Sequence, residues 1–540
     1  MRSVFFDQRV ASVARSPYRA DVALFVGYID RRRRRHVPGM PVDDVVAQRI
    51  VPSGEDPGDP RLYRWFATEG WARGVPDTDR ARLDELVNIP VPIDSFATFD
   101  RLFAWEFRPC GDDVCDTYLG AAVRSFFVQG GRLCYVVRVD APPAVPLDTP
   151  SSTAFVAQRD ARIAKLVPGY PSGVVQSPGD ERMAWRGVWL VFGLPDVSMI
   201  ALPDLTDLVR GPVAADRELP PPPPVAVAFE ECSEPSAAAP NDQFIRDLLA
   251  PTAADDGFLA WNRAVFLVAE QIARVRSAGG LREVQLVAAL PRPSDDHVGA
   301  DLVHYLAEDP LSLDQPLENR GLSTAFVQLA YTWLTTAASG RLPQNLEPPE
   351  GTLCGTIARN ALERGTYRSL GGRPLIDITG VDPKLPGRDL ADPSDLTTLS
   401  GRVTVLGRDP QGFSVLSDVT TSLDPTFRLA HANRLMSALV RALRTIGENL
   451  AFEPSNERTW ASLRGRATDV LRVFWRAGAL AGAREDDAFT VRCDASTTTQ
   501  DDLDSGRVLV EISVSLTVSI QRINVVVTRN GGEATLERAA

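Results

Sequence analysis

The stretch VEISVSLTVSIQRINVVV, residues 510–527, constrains the fold more than any other part of the chain. Apolar Val510, Ile512, Val514, Leu516, Val518 and Ile520 alternate with polar Glu511, Ser513, Ser515, Thr517, Ser519 and Gln521. A period of two marks a strand with one buried face. At Arg522 the phase slips by one residue, and Ile523, Val525 and Val527 resume the alternation. A slip turns the following side chains to the opposite face unless a bulge or break intervenes. The tail therefore reads as two strands in series, and the second, Arg522–Thr528, must pair somewhere.

Upstream, helical and extended patterns alternate. DVALFVGYI (21–29) reads as a buried strand ending in a glycine turn, and Ser95 as the cap of a short helix. TYLGAAVRSFFVQGGRLCYVVRV (117–139) reads as helix, glycine stop and strand, an α/β half-unit. VSMIALPDL is another strand, DGFLAWNRAVFLVAEQIARVRSAGG a strong helix, VQLVAAL a strand, and 323–339 a further helix. Beyond the strand RVTVLG the pattern changes to two long helices, the second over 456–478, followed by the terminal strands. The expected architecture is a multidomain α/β plus α+β chain. Its parts are an arm (1–20), an α/β part (21–145) with a surface insertion (30–88), and a variable outer region (146–250) with a proline-rich spacer (220–240). An α/β domain (251–400), a C-terminal α+β domain (401–520) and a final arm (521–540) complete it.

Length and charge narrow the function. A chain of 540 residues is long enough for about three cores. A net charge of −12 argues against nucleic acid as the main partner. Six cysteines do not make a disulfide framework. Cys110 and Cys115 are spaced as half a zinc site with no second pair to complete it, so reduced, structural cysteines are expected. MRSVFFDQRV lacks a signal-peptide core and no run has transmembrane length, so cytoplasmic assembly without membrane insertion is expected.

Catalytic motifs are absent. There is no P-loop, Gly-x-Ser-x-Gly, His-Glu-x-x-His or EF-hand pattern. His297, Asp301 and His304 have the spacing of one helix face, but a solvated polar face explains them better than a metal. Ser323 reads as a helix cap before Phe326, and Arg31–Arg35 as a solvated loop. No catalytic residue, metal or cofactor is expected. One segment has an asymmetric surface. At about 100° per residue, NERTWASLRGRATDVLRVFWRAG places Trp460, Leu463, Ala467, Val470, Leu471, Phe474 and Trp475 on one face. Arg458, Arg464, Arg472 and Arg476 fall within an arc of about 120° beside it. Such a row is either a basic solvent face or a dock for an acidic partner.

Residues 452–514, with Phe-Glu-Pro before the tryptophan helix, WRAGALAG, VRCD and Asp-x-x-x-Gly-Arg before the strand, resemble the C-terminal domain of contractile tail sheath proteins. These build myophage tails, R-type bacteriocins and phage-tail-like contractile injection systems. DVALFVGYI, IPVPIDSFATFDRLF, TYLGAAVRSFFVQGGRLCYVVRV and EPPEGTLCGTIARNALERGTYRSLGGRPL match in family order. The resemblance implies a subtilisin-like α/β middle domain without protease activity. It also implies terminal strands exchanged between subunits: Ile520, Ile523, Val525, Val526 and Val527 at one end, Val4, Phe5 and Phe6 at the other. The family's usual Pro-Gly-Val-Tyr stretch is replaced at the N-terminal end by SVFFDQRVASVARSPY. The implied partners are further copies in a helical homopolymer, an inner tube met by the arginine row, and baseplate and terminal cap proteins. Rival readings are a non-contracting or end-restricted sheath paralogue, a hydrolase using Ser323, and a monomeric binding module.

Overall fold

A computed structural model describes residues 20–32, 66, 70–71, 85–146, 152–172, 182–211, 242–274, 283–294, 302–307, 322–385, 396–450, 454, 456–504, 508–517, 524–527 and 536–539. The expected N-terminal arm, most of the 30–88 insertion and the proline spacer lie outside these residues.

Eight strands form the central sheet: β1 (Ala23–Tyr28), β2 (Val91–Ile93), β3 (Cys134–Asp140), β4 (Met199–Ala201), β5 (Gln285–Ala289), β6 (Val327–Tyr331), β7 (Thr404–Asp409) and β8 (Gly412–Val415). Their spatial order is β8-β7-β6-β5-β4-β1-β3-β2. The middle six run parallel, and β2 and β8 close the two edges antiparallel. Parallel strands are covered on both faces, so they need unbroken apolar runs. β1, β4, β5 and β6 are buried at every position. Ala23 lies opposite Cys134 on one side and Met199 on the other.

Two sequence expectations change here. The segment 323–339, read as a helix, forms β6 and a second strand, Trp333–Thr336. A short apolar run has no period that separates a buried strand from a buried helix. Gln328 sits inside β6 because its amide donates to Thr404 Oγ1 at 2.9 Å and Asp418 Oδ1 at 3.1 Å. Ser323 therefore caps no helix; its Oγ accepts from Leu423 N at 3.0 Å. The stretches 21–145, 146–250, 251–400 and 401–520 also all contribute strands to this one sheet. Among the described residues the main core runs from Val22 to Val415, and the core of the C-terminal unit begins at Leu435. Parallel pairing joins strands far apart in the chain, which linear pattern cannot reveal.

Helix α1 (Tyr118–Val128) is capped by Thr117, whose Oγ1 accepts from Gly120 N at 3.1 Å. After α2 (Asp255–Arg274), α3 (Glu350–Glu363) packs along α1 through Gly351 and Gly355. A Cβ at Gly351 would stand 2.2 Å from Ala122 O, and one at Gly355 2.5 Å from Phe126 O. Backbone blocks both positions, so the crossing requires glycine.

Helix α4 (Ala430–Leu450) joins the two cores and is two-sided. Arg434 donates to Asp418 Oδ2 at 2.7 Å and Gln328 Oε1 at 2.9 Å. Arg441 donates to the carbonyls of Val197 (2.7 Å) and Glu283 (3.2 Å), just before β4 and β5. Its apolar face, with Leu435, Leu439 and Ala442, packs on α5 (Glu457–Arg476), β9 (Phe489–Arg492) and β10 (Glu511–Val514). Gly351→Ala is expected to lower the thermal midpoint and destabilise by about 1–3 kcal/mol or more, as overpacking does, measured by urea unfolding. Unchanged stability would mean that α1 and α3 separate at little cost.

Candidate functional sites: the carboxyl edge and the C-terminal unit

In an open α/β sheet, ligands bind outside the carboxyl ends of the strands where the order reverses. Here that point lies between β1 and β4. It is occupied by the protein itself. Asp204, just past β4, accepts from Tyr28 N at 2.7 Å and from Leu119 N in the first turn of α1 at 3.3 Å. Gly27 permits this approach, since a Cβ there would fall 2.2 Å from Asp204 Oδ2. Beside it, Glu350 accepts from Ala289 N at 2.8 Å at the end of β5, and Glu347 accepts from Ser125 Oγ at 2.5 Å. Asp207 forms a buried ion pair with Arg108.

Burial pushes Asp204 up to about 7, although main-chain hydrogen bonds from Tyr28 and Leu119 and the Arg108 charge oppose it. Burial likewise pushes Glu347 and Glu350 up to about 8. These carboxyls hold main-chain N–H groups and a serine hydroxyl in place. Among the described residues, no three His, Cys, Asp or Glu side chains are grouped to hold a metal. His36, His297 and Asp301 lie outside the described residues. His304 begins a short helix, and His431 is buried with Nδ1 3.7 Å from Asp418.

The C-terminal unit is the other candidate. Asn456 caps α5, its Oδ1 accepting from Thr459 N at 3.0 Å, where the sequence placed the helix start. Trp460, Ala467, Leu471 and Phe474 are its buried face. The four arginines do not share one environment. Arg472 is bound to Glu485 by two hydrogen bonds, at 2.8 and 2.9 Å, and to Asp469 at 2.8 Å. Arg464 reaches Cys493 O at 3.4 Å. Arg458 and Arg476 are exposed and share one azimuth, and Val473, 55% exposed, stands about 60° from them. The pairing of Arg472 with Glu485 comes from the chain folding back after α5, which a helical projection does not contain.

The alternating tail enters this unit. Val514 lies opposite Phe489 and Ile512 opposite Val491, while Leu516 bridges to Leu480. From Glu511 to Thr517 exposed and half-buried residues alternate as the sequence pattern requires. Among the described residues, β9 and β10 pair only with each other, leaving an open edge on each side. Past the phase slip, β11 (Asn524–Val527) pairs antiparallel with β12 (Leu536–Ala539), Val525 opposite Arg538 and Val527 opposite Leu536. Val525, Val526 and Val527 thus have a strand partner within the chain, while Ile520, Ile523, Val4, Phe5 and Phe6 lie outside the described residues.

Glu350 sets the sign of one pH response. An unfolded glutamate loses its proton near pH 4, whereas the folded one keeps it to about pH 8. The folded state binds more protons in that window, so stability falls as pH rises through it and levels above. Thermal midpoints are expected to drop between pH 5 and pH 8, with a shallower slope in Glu350→Gln. Equal slopes in the two proteins would refute this origin.

No protein-family model matches the chain, and neither does any curated protein. Similarity appears among solved structures. A chain of the cryo-EM structure of the anti-feeding prophage baseplate in the contracted state is 15% identical, with a TM-score of 0.55 over 99% of this chain and 98% of that one. A chain of the six-fold symmetrised baseplate gives 15% and 0.53, over 98% of this chain and 99% of that one. A chain of the anti-feeding prophage helical sheath in the contracted state gives 15% and 0.52, over 98% and 99%. The chain shares a mixed α/β fold with these proteins along nearly its whole length.

Proposed function

We propose that the chain is a structural subunit of a contractile sheath, which polymerises helically around an inner tube and contracts to drive the tube into a target envelope. The observation that carries this reading is the likeness of fold to the helical sheath chain over 98% of this chain and 99% of that one. A likeness of that extent takes in the C-terminal unit as well as the central sheet. Heterologous contacts that do not close on themselves generate helical tubes. Contraction is a passage from a metastable packing to a better one, and it uses no catalytic step in this chain. The filling of the β1/β4 crevice by Asp204 fits a scaffold of that kind, with the subtilisin-like part working as architecture.

Strand addition is the proposed linkage between subunits. The two edges of the β9/β10 pair that have no strand partner among the described residues are what such a mechanism needs, since main-chain hydrogen bonds supply affinity and alternate side chains supply register. Residues 521–540, which include β11 and β12, are the proposed C-terminal arm, and residues 1–20 the N-terminal one. Further partners are baseplate and cap proteins at the ends of the polymer, assembled in the cytoplasm. The likeness to two baseplate chains favours a second reading, a paralogue confined to one end. Finding the chain in one or two rings, not along the shaft, would select that reading.

Negative-stain microscopy of the full chain is expected to show striated tubes, and deletion of 521–540 to abolish them. Tubes from both would place the linkage elsewhere. Full-length protein that forms no tubes even when co-expressed with an inner tube would overturn the sheath reading.

The tube contact is proposed for the outward face of α5, now centred on Arg458 and Arg476, because Arg472 is engaged by Glu485. Arg458→Glu with Arg476→Glu is expected to abolish co-sedimentation with the tube, and wild-type binding is expected to weaken as salt rises. Normal coating by the double variant would remove this face from consideration.

A further inference from the structure

The hairpin of Arg108–Cys110 and Asp113–Cys115 carries two cysteines that the sheath reading does not use. Its register sets Cys110 opposite Asp113 and Arg108 opposite Cys115. Side chains two apart on a strand share a face, so both cysteines lie on the same side of the hairpin, on a diagonal. Both side chains are buried in the same small apolar cluster on that face.

Their surroundings differ from those of the other buried cysteines. Cys110 and Cys115 form a small satellite core with Val145 and Ile245, against which Phe244 and Leu248 pack. Cys134 and Cys354 lie inside the main core. A satellite cluster with few apolar contacts opens at lower cost than a main core, and the turn residues Gly111 and Asp112 are already exposed. The pair is also asymmetric. The neighbouring Cys115 thiol, and after it the Arg108 charge, lower Cys110 against its burial, whereas Cys110 and burial hold the Cys115 thiol up although Arg108, opposite it in the register, opposes them. One sulfur is thus prepared to attack and the other to resolve.

We propose that Cys110 and Cys115 form a reversible disulfide, installed by a small-molecule disulfide such as glutathione disulfide when the chain meets an oxidising environment. The Cys110 thiolate attacks one sulfur of glutathione disulfide, forming a mixed disulfide and releasing one glutathione thiolate. Cys115 then loses its proton and attacks Cys110 Sγ, which expels the second glutathione thiolate. The two cysteine sulfurs give up two electrons, and the glutathione disulfide is reduced to two glutathiones. The bond closes a hairpin that is anchored at the sheet by the buried Arg108–Asp207 pair and through Pro109 O, which accepts from Val145 N at 2.9 Å. It latches the satellite core shut.

The test is peptide mass analysis of the purified full-length protein after incubation with glutathione disulfide, followed by denaturation and alkylation. Trypsin places both cysteines on residues 102–124, which contain no other cysteine. The expected product is that peptide lighter by two hydrogens and unalkylated, restored to the dialkylated form by prior reduction. In Cys115→Ser the mixed disulfide is expected to accumulate on Cys110, while Cys110→Ser takes up little glutathione. A dialkylated peptide after prolonged oxidation would overturn the proposal, as would oxidation of Cys134 and Cys354 at the same rate. Glutathione uptake by Cys110→Ser as fast as by Cys115→Ser would overturn the assignment of the attacking sulfur.

Discussion

The buried contact between Arg434 and Asp418 is the joint on which the rest of the molecule hangs. Asp418 receives Arg434 Nη2 at 2.7 Å, Gln328 Nε2 at 3.1 Å and Leu370 N at 3.0 Å, with His431 close by. Burial alone would raise its affinity for a proton. The Arg434 charge and its hydrogen bond, with the His431 imidazole nearby, override that and hold it well below the usual carboxylate range. Removing one member of such a pair leaves a buried charge uncompensated, typically at about 3–5 kcal/mol. Through this contact the polar face of α4 is seated against the ends of the sheet strands. Only then can its other face offer Leu435 and Leu439 to α5.

That arrangement makes the junction between the two cores directional. Guanidinium groups of Arg434 and Arg441 grip a carboxylate and main-chain carbonyls, so the helix is registered by hydrogen-bond geometry and not merely by apolar contact. Apolar packing tolerates sliding better than a set of forked donors does. The same economy operates at the carboxyl edge, where Asp204, Glu347 and Glu350 satisfy donors of the fold.

Local signals were legible wherever the physics was local. Ser95, Thr117 and Asn456 cap the helices they precede, because a short polar side chain followed by a periodic segment satisfies its own first turn. The alternation of Ile512, Val514 and Leu516 became a half-buried strand, and the slip at Arg522 separates β10 from a strand that pairs elsewhere. The tail resembled a sheath domain on residues that now lie in α5, β9 and β10. By contrast, the sequence around β6 suggests a helix, since VQLAY has no period to distinguish the two. A helical projection groups the arginine row of α5 on one surface, since nothing within the helix announces that Glu485 returns to Arg472.

Sequence alone determined the helix starts at Ser95, Thr117 and Asn456, the strand alternation of the tail and the absence of recognised catalytic motifs, because each rests on residues within a few positions of one another. Tertiary structure alone decided that strands from residue 23 to residue 415 share one sheet, that Asp204 fills its crevice, and which arginines remain exposed. Those outcomes depend on contacts between residues far apart in the chain. Parallel pairing, ion pairing and the filling of a crevice by a distant side chain leave no periodic trace in the order of the amino acids.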